Sequence, residues 1–339
     1  MRSLILGGTS FVGGRLLGHL QRRGDDVTLL NRGRSAPPPA GVGLLVGDRT
    51  DPKSMRAALG GPDGAQWDVV FDVSGFVMAA GGSAFPELLE LLDGRTGRYV
   101  FVSSVMAYAP TGFFPWTEEQ PPRAEPPTTY GGFKVYAEQA LLQRHLSTGF
   151  AATIARPAAI YGPGNNIYDM EAAMFLRLRR GLPVLVPHEG LVCTSYGHID
   201  DLCAGLLRLG EHDAAPGQAF NITGEGVTSG EYVRTLAEIV GVEPDIVPVD
   251  AAALPDPARP AYGHLFGARH HGILDCHKAQ ELVGFKPAYD FRAGTEATYA
   301  WFCESPPSRT DVSMRDPLWG AGFDFDYEAD VVASVRPAR

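Results

Sequence analysis

A glycine-rich turn, set between an apolar run and an amphipathic stretch, constrains this chain more than any other feature. Leu4-Ile5-Leu6 runs straight into Gly7-Gly8-Thr9-Ser10-Phe11-Val12-Gly13. From Phe11 to Arg23 the apolar residues Phe11, Val12, Leu16, Leu17 and Leu20 recur at helical spacing. A strand–turn–helix that binds a dinucleotide needs glycine for the tight turn, small residues where backbone nears the pyrophosphate, and glycine where helix meets sheet. Gly7 and Gly13 take the outer positions, and Ser10 takes the middle one in place of a third glycine. Thr9, Ser10, Phe11 and Val12 then line a helix N-terminus whose free N–H groups suit an anion. The alternative is a plain tight turn.

The alternation continues down the chain. Val27-Thr28-Leu29-Leu30, Leu44-Leu45-Val46, Val69-Val70-Phe71, Tyr99-Val100-Phe101-Val102 and Ala151 to Ala155 read as further strands, spaced widely enough for crossovers. Uniformly apolar strands separated by helices indicate a parallel sheet covered on both faces. The expected fold is α/β: a Rossmann-type doubly wound parallel sheet with a smaller C-terminal α/β substrate lobe. We assign residues 1–165 to the dinucleotide-binding domain, with 195–223 returning to it. Residues 166–194 and 224–303 form the lobe, and 304–339 a tail that wraps the surface or frays. Met170–Arg180 and Ser229–Val240 read as helices of the lobe.

Composition excludes several classes. Of 339 residues 45% are hydrophobic and 20% charged, enough apolar content for a sizeable core. A net charge of −10 weighs against a nucleic-acid binder held by phosphate neutralisation. Cys193, Cys203, Cys276 and Cys303 are scattered without ligand spacing, which fits reduced thiols. Of His188, His198, His264, His270 and His271, His198 is expected to pack beside the His-Ile-Asp-Asp turn and the His270-His271 pair lacks a carboxylate or cysteine partner at ligand spacing, so no metal is expected. Neither a signal peptide nor a membrane span is visible, and the expected location is cytoplasmic.

The second strand should end at the residue that meets the adenosine ribose. An acid there favours NAD; arginine favours NADP by pairing with the 2′-phosphate. The chain offers Asn31-Arg32-Gly33-Arg34, which leans toward NADP over NAD. In Gly47-Asp48-Arg49, Asp48 stands where it would accept from the adenine amino group, with Arg49 beside it. Ser74-Gly75, ending the fourth strand, would lie under the nicotinamide half.

The chemistry-bearing residues follow. Tyr130-Gly131-Gly132-Phe133-Lys134 places a phenol and an ammonium four apart, on one face of a helix that continues through Leu142. Ser103-Ser104 ends the fifth strand, where this fold presents reactive groups. A free phenol is a poor base at neutral pH. A nearby ammonium, with the charge of an oxidised nicotinamide, would lower the Tyr130 pKa. Tyr130 would then exchange a proton with a substrate hydroxyl, Ser104 would hold that oxygen, and Lys134 would also hold the nicotinamide ribose.

These residues, with Tyr108, Arg156-Pro157-Ala158-Ala159-Ile160-Tyr161-Gly162-Pro163-Gly164, His198-Ile199-Asp200-Asp201, Phe220-Asn221-Ile222 and Asp275…Lys278-Ala279…Leu282…Gly284-Phe285…Pro287, resemble the extended short-chain dehydrogenase/reductases, the NAD-dependent epimerase/dehydratase family. The resemblance implies a catalytic Ser104, Tyr130 and Lys134, cofactor contacts at Ser103, Pro157 and Ile160, and a substrate lobe for a nucleotide-sugar. It also implies a homodimer. Sugar-nucleotide dehydratases of the family carry an Asp-Glu pair after the catalytic hydroxyl; Val105-Met106 stands here, which disfavours water loss and puts Met106 beside the substrate. Ala159 replaces the usual asparagine that meets the substrate diphosphate. Asn165, Asn166 and Tyr168, and Arg269 with His264 and Tyr262, are candidate substrate contacts. The expected function is NAD(P)-dependent epimerisation or oxidoreduction at a secondary alcohol or ketone of a sugar or sugar nucleotide. Alternatives are an NADPH-dependent ketoreductase of a natural-product substrate, and a catalytically silent nucleotide-sensing or RNA-binding relative. The Gly-Gly-Thr-Ser-Phe opening and Asp72-Val73-Ser74-Gly75 look like a branch akin to the chloroplast stem-loop-binding proteins.

Overall fold

The computed structural model describes residues 1–34, 37–60, 66–74, 84–165, 170–250, 270–304 and 325–336. Gly75, Asn166, Tyr168, Tyr262, His264 and Arg269 lie outside them. Along the chain run β1 (Arg2–Leu6), α1 (Phe11–Arg23), β2 (Asp26–Asn31), β3 (Gly43–Val46), α2 (Pro52–Leu59), β4 (Trp67–Asp72) and α3 (Ala84–Leu92). Next come β5 (Thr96–Val102), α4 (Tyr130–Thr148), β6 (Ala152–Pro157), β7 (Ala159–Tyr161), α5 (Glu171–Arg179), β8 (Val184–Pro187), β9 (Cys193–His198) and α6 (Ile199–Glu211). The remainder is β10 (Ala219–Ile222), β11 (Gly226–Thr228), α7 (Ser229–Val240), β12 (Ile246–Val249), α8 (His277–Val283), α9 (Phe291–Glu304) and α10 (Phe325–Val335).

The chain divides into two compact units. The first comprises Met1–Ala158, Ile199–Thr223 and Leu274–Pro287. Its sheet has seven strands in the order β3-β2-β1-β4-β5-β6-β10, all neighbours parallel. This is the doubly wound α/β architecture read from the apolar runs. The order reverses between β1 and β4, and ligands of such sheets bind outside the carboxyl ends of the strands at that switch. Parallel strands need cover on both faces, and the burial shows it. Leu4, Leu6, Val70, Phe101 and Ile154 pack on one side with Phe85 and Leu88 of α3 and Phe133 and Leu141 of α4. On another, Gly205 and Gly210 of α6 approach Ile222, Val69 and Phe71 so closely that a Cβ would stand 2.9–3.0 Å from the nearest side chain. Truncating a ring such as Phe101, which is 0% exposed, would cost about 3–5 kcal/mol.

The second unit comprises Ala159–His198, Gly224–Ile273 and Ala288–Arg339. It holds the sheets β11-β9-β7 and β12-β8. Its core gathers Tyr161, Phe175, Tyr196, Tyr232, Phe291 and Phe302. The division differs from the sequence-based one in three places. Residues 159–165 and 195–198 join the second unit because β7 pairs with β9. Residues 274–287 join the first, where the Asn221 amide donates to the Asp275 carbonyl at 2.9 Å and Lys278 to the Ala219 carbonyl at 2.9 Å. The tail expected to wrap or fray contains α10, whose Val331 and Val332 pack with Leu185, Val247 and Val249. Arg177 of α5 also grips Glu328, with one hydrogen bond of 2.6 Å. A carboxylate that would be read as a surface charge is thus the buried anchor of that helix.

Candidate active site

The glycine-rich turn opens α1. Gly7 has φ +111°, a conformation side chains avoid, and a Cβ on it would lie 2.6 Å from the Ser74 Oγ. A Cβ on Gly13 would lie 2.8 Å from both the Gly7 carbonyl oxygen and the Gly8 Cα. The turn is therefore packed too tightly for any other residue at either position. Ser10 is the N-cap, yet its side chain makes no capping hydrogen bond. The first-turn N–H groups of an α-helix, here Phe11, Val12 and Gly13, have no partner within the helix. Thr9 and Ser10 are exposed at the mouth of the turn, with Phe11 and Val12 half-buried. This cradle fits a pyrophosphate.

The β2 exit is set by a side chain. The Asn31 carboxamide oxygen accepts from the Gly33 N–H at 2.7 Å, forming a turn that leaves Arg32 and Arg34 exposed. The Asp48 carboxylate accepts from the Thr50 N–H at 3.0 Å and from its hydroxyl at 2.7 Å. Those bonds, then the charges of Arg32 and Arg34, hold the Asp48 carboxyl below its usual pKa. Two arginines and a carboxylate thus share this end of the sheet.

Arg49 and Ser74, both expected at the dinucleotide, turn inward. Arg49 is 5% exposed and forms a bidentate ion pair with Asp72, at 2.8 and 2.5 Å. Its Nη1 also donates to the Ser74 Oγ at 2.9 Å, and that hydroxyl donates to the Leu6 carbonyl at 3.0 Å. The Tyr99 hydroxyl completes the set by donating to Asp72 at 2.6 Å. The pairing of Asp72 and Tyr99 with Arg49 escaped the sequence reading because nothing local marks a strand-end aspartate and a strand tyrosine as partners of an arginine.

Helix α4 carries Tyr130 and Lys134. The Thr129 hydroxyl caps it, accepting from the Gly132 N–H at 3.1 Å. Two glycines in a first helical turn weaken it, but here packing requires them. A Cβ on Gly131 would sit 2.5 Å from the Met106 carbonyl oxygen, and one on Gly132 would overlap that of Pro126. The close approach lets the residues after β5 reach the helix start. Ser104 caps the 3-10 turn Val105–Ala107 by accepting from the Met106 N–H at 3.1 Å. An oxygen that accepts there has its proton free to donate, and Ser104 is hydrogen-bonded to Tyr130. Tyr130 is half-buried; Ser104 and Lys134 are buried.

The Lys134 ammonium donates to the Val102 carbonyl at 2.7 Å and lies 5.3 Å from the centroid of the Tyr130 ring. It also lies 4.9 Å from the Phe101 ring centroid. Burial pushes the Lys134 pKa down from 10.5 to about 8, against the opposing pull of Asp72. Burial also raises the Tyr130 phenol above 10.0, and the Ser104 hydrogen bond only partly offsets this. The lowering expected from Lys134 does not appear in the chain by itself: desolvation raises the phenol, and the influence that opposes it comes from Ser104.

Other expected contacts have structural partners. Ser103 is 2% exposed and donates its hydroxyl to Glu138. Pro157 is buried at the end of β6. Ile160 and Asn165 belong to the second unit, and the Asn165 amide donates to Glu171 at 2.7 Å. Met106 is half-buried. Glu138, four residues beyond Lys134, is a buried carboxylate the sequence reading missed; its helical spacing was the available signal. No group of three or more potential metal ligands occurs among the described residues. No helix among them is long and apolar enough to cross a membrane.

Residues 3–223 match the family model described as the NAD dependent epimerase/dehydratase family. The chain belongs to that family. It is 30% identical over 312 residues to the chloroplast stem-loop binding protein of 41 kDa b of Arabidopsis thaliana, covering 87% of this chain and 78% of that protein. It is 26% identical over 349 residues to a dTDP-glucose 4,6-dehydratase of Streptomyces antibioticus, covering 95% of this chain and 100% of that enzyme. Among solved structures, UDP-glucose 4-epimerase with UDP-glucose from Thermotoga maritima superposes with a TM-score of 0.73 at 23% identity, covering 91% of this chain and 100% of that one. That likeness is one of fold.

Proposed function

We propose that this family member is an NAD(P)-dependent epimerase or oxidoreductase acting on a secondary alcohol or ketone of a sugar or sugar nucleotide. The observation that carries the reading is the Ser104–Tyr130 hydrogen bond, with the Lys134 ammonium 5.3 Å from the phenol ring. The sugar-nucleotide names of the dehydratase and epimerase relatives support the substrate class.

The tight Gly7–Gly13 turn and the open first turn of α1 would hold the pyrophosphate. Arg32, Arg34 and Asp48 would take the adenosine end, with the arginines favouring NADP over NAD. Lys134 would hold the nicotinamide ribose, beside Pro157. The dinucleotide, when bound, supplies the hydride acceptor or donor. Tyr130 takes the proton from the substrate hydroxyl in oxidation and returns it in reduction. Ser104 donates to the same oxygen and so holds the reacting carbon in place. A phenol raised above 10.0 by desolvation is a reluctant base, so its deprotonation requires positive charge close by, which Lys134 supplies. Val105 and Met106 bear neither acid nor base, so water elimination has no carrier beside Ser104.

The test is absorbance in the reduced-nicotinamide band during incubation with each dinucleotide and a panel of sugar nucleotides, with epimer analysis of the products. Tyr130→Phe should abolish turnover and leave dinucleotide affinity nearly unchanged. Full activity in that variant would end this reading. The likeness to the stem-loop binding protein favours a second reading, RNA binding without the reaction. Salt-sensitive retention of an RNA stem-loop, with no turnover of any sugar nucleotide, would establish it instead.

A further inference from the structure

Val102, Ser103 and Ser104, consecutive at the exit of β5, each meet a different turn of α4. Ser104 is hydrogen-bonded to Tyr130, the Val102 carbonyl accepts from Lys134 at 2.7 Å, and the Ser103 hydroxyl donates to Glu138 Oε1. Tyr130, Lys134 and Glu138 stand four apart in one helix and so form a single stripe. The first two contacts belong to the proposed chemistry. The third does not.

Glu138 is 4% exposed and held from its other side by Arg156, whose Nε and Nη2 donate at 3.0 and 2.5 Å. Arg156 is itself fixed: its Nη1 donates to the Tyr108 hydroxyl and to the Glu118 carbonyl, each at 3.0 Å. The Tyr108 hydroxyl donates in turn to the Asn221 side chain of β10 at 2.6 Å. Glu138 is therefore anchored through β6 and β10, and its grip on Ser103 fixes the β5 exit against α4. A buried ion pair is weak evidence for stability, since an apolar pair of the same shape often does as well. What the pair supplies here is a defined position.

We propose that Glu138 is a positioning residue: acting through Ser103, it sets where Ser104 stands against Tyr130 and thereby the proton affinity of the phenol. The proposal rests on the reading of Tyr130 as the proton carrier. Ser104 is one residue from the grip, and a hydrogen bond weakens steeply with displacement and angle. Without the Ser104 donor, burial would act on the phenol unopposed. The other charged groups near the helix start are Lys134, the Arg123–Glu125 pair against Gly131, and the Arg49–Asp72 pair. The Arg123–Glu125 and Arg49–Asp72 pairs make no bond to Ser103, and the Val102 carbonyl and the Glu138 charge that act on Lys134 are both retained in Ser103→Ala.

The experiment follows the phenol directly and needs no substrate. The full chain is produced with fluorotyrosine, whose ring fluorine brings the phenol titration within reach of the folded protein, and fluorine NMR is recorded against pH. Loss of one signal in Tyr130→Phe identifies the residue. Ser104→Ala should raise the Tyr130 midpoint by about one pH unit, the worth of a hydrogen bond to a charged group. Ser103→Ala leaves both Arg156 bonds to Glu138 and should give more than half of that rise, with thermal unfolding lowered by only a few degrees. Ser103→Thr, which keeps the hydroxyl, should titrate like the wild type. A folded Ser103→Ala protein with an unmoved midpoint, beside a shifted Ser104→Ala, overturns the positioning role. An unmoved midpoint in Ser104→Ala as well would overturn the Ser104–Tyr130 contact on which the proposed function stands.

Discussion

The Arg49 guanidinium holds the Asp72 carboxylate with two hydrogen bonds, of 2.8 and 2.5 Å, one serine away from Gly7. Ser74 links the pair to the Leu6 carbonyl, the last residue before the glycine-rich turn. An ion pair is thus buried at the switch of the sheet, bonded to the strand that leads into the turn. Removing one partner leaves the other charged and desolvated, which costs about 3–5 kcal/mol. Arg49→Met alone, and Asp72→Leu alone, should each lose that much in urea unfolding. The double variant should lose clearly less than the sum, because neither charge is left behind. Additive losses would show that the two side chains act independently.

Lys134 makes stability depend on pH in a defined direction. Its folded pKa is about 8 against 10.5 for an unperturbed lysine, so between these values the unfolded chain binds more protons than the folded one. Stability linked to Lys134 therefore rises as pH increases above about 8. The full swing is up to about 3 kcal/mol by linkage. The Tyr130 phenol, raised above 10.0, works the other way only at higher pH. Denaturant unfolding of wild type and Lys134→Met at steps from neutrality to just below 10.0 should show the variant's advantage shrinking. A constant difference across that range would mean that Lys134 keeps an ordinary pKa.

Arg32 and Arg34 stand exposed around the turn that Asn31 builds. A phosphate on the adenosine ribose would gain charge-assisted hydrogen bonds from them, worth about 1.5–3 kcal/mol each. Replacing both by alanine should weaken NADP⁺ binding by at least about a hundredfold and leave NAD⁺ binding within a factor of about two. Titration of protein fluorescence with each dinucleotide reads both constants. Equal losses for the two would remove the arginines from any role in discrimination.

Strands, helices and the helical pairing of Tyr130 with Lys134 were legible in the sequence because their signals are local. Leu4-Ile5-Leu6, Val69-Val70-Phe71 and Tyr99 to Val102 are apolar without alternation, as only strands covered on both faces are. The start of α4 at Tyr130 and the spacing to Lys134 follow from neighbours within one turn. Gly7 and Gly13 announce a turn that no side chain would fit.

The partners of the buried charges belong to a different order of information. Arg49 reads in sequence like the exposed arginines beside Asp48, yet it pairs with an aspartate 23 residues away. Ser103 and Ser104 are the same residue type side by side just past β5, yet one meets Glu138 and the other, capping the turn Val105–Ala107, meets Tyr130. Arg177 finds Glu328 across 151 residues, which turns an acidic tail into a docked helix. Apolar burial is fixed by periodicity and needs no particular partner, so the chain's own order determined the layers of this fold. A buried charge needs one specific counter-charge in one geometry, and only the folded arrangement of strands and helices decides which one it meets.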